Sequence, residues 1–478
     1  MPLPELKDIL NPSSVAVVGA SANTSSFGYA YVNHLVEYGF KGTIYPVNPN
    51  YPEIMGLKTY PSVSAIPGNV DYAISCVNAG NVLQMLAELA TKNTKLVHLY
   101  TARFSETGRK DAAELEQSVL KLALGNNIRL IGPNCMGLYY PQIGISFGYN
   151  LPKDSGPVGM ASQSGGGASG FVHISSLRGI RFSKVFSYGN ALDFNECDYL
   201  EYFLNDPDTK IICLYVEGVK DGKRFLETLR RATKVKPVVV IKGGRGKSGA
   251  RMTASHTASL AGSYQVFEAM LKQTGAISAT DYEEMADIVV TLNYLPPIKG
   301  NRVGVNGGGG GPSVMAAEAC EAAGLDVIPI PQDMRLEMKA RGVTIWDWVS
   351  NPVDLSIIGG SGITDLDMLH LMGKHPDFDL LMVNYNEWVM MTLAADDRLK
   401  GIPLAVKGYA SVKEKYGKPL AVVLGERGVI AEEYDDWKWK IIAQVRTELR
   451  KAGIPAFSTF PRAANALHKV WRYYANLK

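Results

Sequence analysis

The chain has 478 residues, of which 46% are hydrophobic and 20% charged. At ~150 residues per domain this length suggests about three domains with apolar material for several cores, which excludes bulk disorder. Lys and Arg total 49 against 46 Asp and Glu, a net +3, so a polybasic nucleic-acid binder is excluded as the default.

Met1 to Asn11 has charges and no apolar leader, and no run of about 18 apolar residues predicts a membrane span. Five Cys, at 76, 135, 197, 213 and 320, are dispersed with no Cys-x-x-Cys pair. They read as reduced, mostly buried thiols of a cytoplasmic protein, with no disulfide framework and no metal site.

Ser14–Gly19 is a short β-branched run that ends in Gly. Apolar runs follow at Gly42–Asn48, Val70–Val77, Lys95–Thr101 and Ile128–Ile131, separated by stretches that can be helical. Strands alternating with helices at this spacing predict βαβ units and a parallel sheet. The pattern restarts near Gly156 and continues through Lys184–Ser187, Ile211–Glu217 and Pro237–Lys242. A Pro-containing linker at 293–297 closes that block. A third restart at Arg302–Asn306 leads to Asp326–Ile330, Leu380–Asn384 and Pro419–Leu424. Three α/β domains are expected, at 1–152, 153–297 and 298–478.

Three Gly-rich turns join a strand to a helix. In the first, Gly19 is followed by Ala20 and Ser21, and the next Gly is Gly28. Such a turn presents backbone N–H groups at a helix N-terminus, where phosphates bind. It lacks the G-x-G-x-x-G of dinucleotide sites, and the second strand ends at Asn48 rather than at an acid for a ribose. Both features argue against NAD. The second turn is Ser162-Gln-Ser164-Gly165-Gly166-Gly167, in which Ser164 is a sound N-cap. Ser162 stands where a nucleophile elbow needs Gly, so a Ser-hydrolase reading is weak. The third turn runs from Asn306 through Gly307–Gly311 to Pro312, read as the first helical residue. Two such helix starts can hold one phosphate from two sides.

Of seven His, six (His34, His98, His173, His370, His375 and His468) show no acidic or Ser partner pattern. His256 lies in Arg251-Met-Thr-Ala-Ser-His256-Thr-Ala-Ser-Leu-Ala-Gly262, after the basic Lys242-Gly-Gly-Arg-Gly-Lys247. A segment this rich in small residues and positive charge reads as a mobile loop that accepts anions. Its His suits nucleophilic attack on a phosphoryl group. One ring nitrogen then attacks while the other needs an acceptor. Glu217, at the end of the run Ile211–Val216, is the natural one, because functional groups gather at the C-terminal ends of parallel strands.

These residues together resemble the α subunit of NDP-forming acyl-CoA synthetases, the ADP-forming acetate–CoA ligase group related to succinyl-CoA synthetase. The resemblance runs through almost the whole chain. It is carried by Gly19-Ala-Ser, Gly132-Pro-Asn-Cys-Met-Gly137, Ser162-Gln-Ser-Gly165, Ser187-Tyr-Gly-Asn190 with Asp193, Tyr215-Val-Glu217-Gly, Ser255-His-Thr, Leu260-Ala-Gly262 and Asn351-Pro-Val-Asp354. It implies a Rossmann-like CoA-binding domain followed by two flavodoxin-like parallel α/β domains. It also implies a three-step reaction through an acyl phosphate and a phospho-His, with His256 phosphorylated and Glu217 orienting it. Ser164, Gly165, Gly166 and Gly309, Gly310, Gly311 would hold the phosphoryl group. CoA would lie against Gly19, Ala20, Ser21, Phe27, Lys41, Asn48, Cys76, Val77, Asn78, Tyr100, Thr101 and Asn134. The family's ATP-grasp domains are not seen in the sequence, so ADP/ATP with Mg2+ would bind a partner β chain, in an α2β2 heterotetramer. Arg103 and Ala258 stand where the family often has Gly. Arg103 opens the acyl group to question and makes an anionic or non-acetyl acid possible. The alternative is a non-catalytic CoA-binding regulatory protein, against which the joint presence of His256 and Glu217 speaks.

Overall fold

The computed structural model describes residues 5–257, 263–385, 395–424 and 437–477, in two compact units, Met1–Met285 and Ala286–Lys478.

The first unit contains two main sheets. In the first of them, β1 (Ser14–Val18), β2 (Thr43–Val47), β5 (Tyr72–Ser75), β6 (Leu96–Leu99) and β7 (Arg129–Ile131) are parallel in the order β2-β1-β5-β6-β7. A hairpin of β3 (Glu53–Ile54) and β4 (Leu57–Lys58) lies beside β2, tied to it through the Tyr60 amide, which donates to the Pro46 carbonyl. Strands β1, β5 and β6 are buried along their whole length. That explains their β-branched, non-alternating sequence, since helices cover both faces. Val82, Leu86 and Leu89 of the helix Val82–Ala90 pack with Val119 of the helix Lys110–Gly125 in this sheet's core.

The second sheet has the order β13-β12-β11-β9-β10-β8. Its members are β8 (Gly137–Tyr139), β9 (Val158–Ser162), β10 (Phe182–Ser187), β11 (Ile211–Val216), β12 (Val238–Lys242) and β13 (Ile277–Ala279). Only β8 is antiparallel, on the edge beside β10. The strand order reverses between β9 and β11, which marks the crevice above their C-terminal ends as the place where a doubly wound sheet binds ligands.

Two sequence signatures form the seam between these sheets. The 132–137 segment and the 187–190 segment, far apart in the chain, lie against each other. Asn190 N donates to the Pro133 carbonyl at 3.1 Å, Leu192 N to Gly132 at 2.9 Å, and Met136 N to Ser187 Oγ at 3.0 Å. A Cβ on Gly189 would fall inside contact distance of Pro133 and Asn134 carbonyls, so only Gly allows this approach. Asp193 takes Arg129 in a two-pronged ion pair at 2.8 and 2.9 Å, and the guanidinium lies over the Phe194 ring at 3.8 Å.

The second unit is built on a parallel sheet of β14 (Val303–Asn306), β15 (Leu380–Asn384), β16 (Leu420–Val423) and β17 (Ala456–Phe457), in that order. Met334, Met338, Leu369, Met372, Val406 and Val445 pack on it. Three expectations are corrected in this unit. Asp326–Ile330 is not a strand: Asp326 makes one bridge to Arg302, and Pro329 and Pro331 then withhold the donors a ladder needs. Pro312 is not the first helical residue, because the helix Gly310–Ala323 starts two residues earlier behind Gly309. Pro is still tolerated there, since first-turn N–H groups have no intrahelical partner. His375 does have an acidic partner: Nε2 meets both oxygens of Asp333 at 3.0 and 3.1 Å, and Nδ1 accepts from the Asp377 amide. Both nitrogens are therefore spent on structure.

Among the described residues, no helix is long and apolar enough to cross a membrane.

Candidate active site

At the C-terminal edge of the first sheet, the chain turns after β1 through Gly19, Ala20 and Ser21. Gly19 has φ +89°, and a Cβ there would lie 2.8 Å from the Cys76 carbonyl. Asn48 Nδ2 donates to the Ala20 carbonyl at 2.7 Å, which ties the end of β2 to this turn. Thr101 Oγ1 meets Ser75 Oγ at 2.9 Å and donates to the Val77 carbonyl at 2.8 Å, while the Asn134 amide donates to the Thr101 carbonyl. Phe27, half exposed, sets its ring 4.4 Å from that of Tyr100. The structure thus brings Gly19–Ser21, Phe27, Asn48, Cys76–Asn78, Tyr100, Thr101 and Asn134 to one edge. Burial pushes the Cys76 thiol up to about 12, so it is no nucleophile here.

Two expectations for this edge change. The Gly19 and Ala20 amides both donate to the Val47 carbonyl, at 3.0 and 3.2 Å, so they are not open to a phosphate. The donors left for an anion are the first-turn amides of the helix Phe27–Glu37, whose Ser26 cap already takes Tyr29 N. Lys41 is not brought to this edge. It precedes β2, and a residue before a parallel strand sits at the sheet's other end, here beside Asn11, Ser13, Phe40 and Gln142 in a cavity of about 590 Å³.

On the second sheet, β9 delivers Ser162 and Ser164. Ser164 caps the helix Gly165–Leu177, its Oγ accepting the Gly167 amide at 3.0 Å. Gly165 and Gly166 form the open first turn. Space above Gly166 is empty, whereas a Cβ on Gly167 would collide with the Tyr282 hydroxyl. The Tyr282 ring stacks on Tyr215 at 5.7 Å.

Beside this turn, β11 delivers Glu217. Register pairs Tyr215 with Ser162, so Glu217 and the 163–166 turn leave adjacent strands at the same end. Glu217 is buried, at 8% exposure. Two residues that sequence reasoning did not single out fix it. The Gln163 side-chain oxygen accepts the amides of Glu217 and Gly218. Lys242 Nζ donates to the carbonyls of Glu217 and Gly243. A Cβ on Gly243 would lie 2.7 Å from the Tyr215 hydroxyl and 3.2 Å from Glu217 Cγ. Burial, and next the Glu217 charge, push Tyr215 up to about 12. Its hydroxyl therefore stays protonated and able to donate.

His256 does not lie in a loop. Its backbone belongs to the last turn of the helix Lys247–Thr257, which follows β12 and packs beside the short turn Ser105–Thr107 of the first sheet's domain. The loop expectation came from small residues, but Ala, Arg, Met and Lys are good helix formers, and Gly249 is the one Gly within this helix. The His256 side chain, and residues 258–262 with Ala258 and Leu260–Gly262, lie outside what is described.

Two family models match the chain: a CoA binding domain at residues 13–141 and a succinyl-CoA ligase like flavodoxin domain at residues 155–292. The α subunit of the ADP-forming acetate–CoA ligase I of Pyrococcus furiosus is 34% identical over 98% of this chain and 97% of its own length. The chain belongs to the ADP-forming acyl-CoA synthetase α-subunit family. Another member of this synthetase family, the ADP-forming acetate–CoA ligase of Methanocaldococcus jannaschii, is 42% identical over 66% of this chain and 44% of its own length. The solved dinucleotide-forming acetyl-coenzyme A synthetase 1 of Ca. Korarchaeum cryptofilum, in complex with phosphate and ADP, matches with TM-score 0.79 at 31% identity. That match covers 99% of this chain and 97% of that one.

In the second unit, the synthetase's third Gly-rich turn joins β14 to the helix Gly310–Ala323. Gly307 and Gly308 have φ +103° and +101°, and Gly309 precedes the helix Gly310–Ala323. The Asp354 carboxylate stands 3.3 Å from where a Cβ on Gly310 would be. An anion at Gly309–Gly311 therefore meets a carboxylate as well as the positive end of the helix.

Proposed function

We propose that the chain is the α subunit of an ADP-forming acyl-CoA synthetase that interconverts acyl-CoA, ADP and phosphate with carboxylic acid, CoA and ATP. The observation that carries this reading is local. Glu217 and the open helix start at Gly165–Gly166 leave adjacent strands at one switch point, and the next strand leads into the helix that carries His256.

In the acyl-CoA-consuming direction, a phosphate oxygen attacks the thioester carbonyl. The C–S bond breaks, and CoA leaves as a thiol after taking a proton. An imidazole nitrogen of His256 then attacks phosphorus, the P–O bond to the acyl group breaks, and the carboxylate departs. Finally a terminal oxygen of ADP attacks the phosphorus on His256, the N–P bond breaks, and ATP forms. Glu217 accepts the N–H of the other ring nitrogen, which fixes the reactive tautomer and stabilises the imidazole as charge develops. Ser164, Gly165 and Gly166 receive the phosphoryl group at a helix N-terminus. Gly309, Gly310 and Gly311, in the second unit, are in this reading another helix start able to receive a phosphate. CoA lies along Gly19–Ser21, Phe27, Asn48, Cys76–Asn78, Tyr100, Thr101 and Asn134.

ADP or ATP, with Mg2+, belongs to a β chain with ATP-grasp domains in an α2β2 assembly. The Pyrococcus furiosus relative, spanned to 97% by this chain, is named as an α subunit, which supports a separate partner. Dispersed, unpaired thiols support a cytoplasmic location.

The test is reconstitution. The chain mixed with a β chain should form acyl-CoA from acid, CoA and ATP, and the chain alone should not. Turnover by the chain alone, or binding of NADH in place of CoA, would overturn the reading.

A further inference from the structure

This inference rests on the ligase reading and names the acyl group. Arg103 is held at φ +78°, a conformation that L side chains rarely adopt. Glu106 imposes it. The Glu106 carboxylate accepts the amides of Arg103 and Phe104, the latter at 3.1 Å, and takes Asn190 Nδ2 at 2.7 Å from the loop after β10. The Arg103 side chain is exposed and forms no hydrogen bond or ion pair among the described residues. Its position is defined on two sides. Two residues earlier, Thr101 is bonded to Ser75 and Val77 at the proposed CoA edge. Two residues later, the turn Ser105–Thr107 packs beside the helix Lys247–Thr257 that carries His256. An unpaired guanidinium is thus rooted between the CoA edge and the phosphoryl-accepting helix, at a backbone position where Gly would be unstrained.

Strain kept at such a place points to a ligand. The planar guanidinium fork matches a carboxylate in two-point geometry. We propose that Arg103 recognises a second carboxylate on the acyl group, so that dicarboxylic acids and their mono-CoA thioesters are preferred over uncharged short acids.

The test titrates the full chain with CoA, acetyl-CoA and succinyl-CoA by calorimetry, for the parent, Arg103→Gly and Arg103→Lys. Succinyl-CoA should bind about 10- to 100-fold more tightly than acetyl-CoA, the scale of one charge-assisted pair. Arg103→Gly should remove that ratio, and Arg103→Lys should keep part of it. Gly relieves the positive φ, so an unchanged or raised Tm will show that the loss is not misfolding. Equal affinities in the parent, or an undiminished ratio in Arg103→Gly, would overturn the proposal and leave the ligase reading intact. In the complex with the β chain, a raised KM for inorganic phosphate in Arg103→Gly with the acid preference retained would assign the guanidinium to phosphate, which also overturns it. No binding of any of the three thiols or thioesters would overturn the CoA reading and this proposal together.

Discussion

Lys242 Nζ donates to the Glu217 main-chain carbonyl at 2.7 Å, from a side chain only 4% exposed. A buried cation is costly unless paired, and burial lowers the pKa of this one while the Glu217 charge opposes the shift. The same carboxylate-bearing residue has its amide held by Gln163 from the other strand. Glu217 is therefore held at both its backbone N–H and its carbonyl before any ligand arrives, which is the preorganisation an orienting carboxylate requires.

Lys242→Met should expose that dependence. Two buried carbonyls, of Glu217 and Gly243, lose their donor, at a cost of ~1–3 kcal/mol for each group left unsatisfied. Urea unfolding should show the loss, and phosphoryl transfer should fall while CoA binding persists. Equal loss of both functions would place Lys242 in general folding instead.

Gly243→Ala should act on the site with little change in the core. The new Cβ meets the Tyr215 hydroxyl and Glu217 Cγ at 2.7 and 3.2 Å, so the carboxylate must shift. A displacement of this order should cut phosphoryl transfer by ~10-fold or more. Gly170→Ala, further along the same helix as Ser164 caps, where the space is open, is the control and should retain most of the rate. Similar rates for the two variants would contradict the geometry.

Most of the central strands were legible, because both faces are buried and the sequence is apolar throughout, whereas the edge strands β8, β13 and β17, two or three residues long, were not, because so short a run carries no period. Ser164 as a cap was legible too, because N-capping is a local preference. Gln163 and Lys242 were not. Their bonds to the Glu217 peptide span 54 and 25 residues, and no local period records a side chain that reaches another strand's backbone. The Gly19–Ala20 amides misled for a related reason. A Gly-rich turn shows that donors exist, but not that a neighbouring strand end, Val47, already uses them. His256 was found by residue chemistry, whereas the helix around it was hidden by small residues that serve helices and loops alike.

Acid should weaken the first unit through His98 and His34. Burial lowers both to about 4, against ~6.5 when unfolded. Below pH ~6.5 the unfolded chain binds protons that the folded chain refuses, so this contribution is full above that value. It declines as pH falls towards about 4 and changes no further below it. The loss should amount to a few kcal/mol in all. His98→Gln should flatten the fall in urea midpoint between pH 7 and 4.5. An unchanged slope would remove His98 from the account.

The central claim is that His256 carries the phosphoryl group between an acyl phosphate and a nucleotide. The most direct measurement is to incubate the chain with labelled acyl phosphate, or with labelled ATP and the β chain, and to map the labelled peptide. The account predicts one acid-labile, base-stable label within the peptide containing Arg251–His256, absent from His256→Ala, with CoA binding intact in that variant. Label on another residue, or label that persists in His256→Ala, would contradict it.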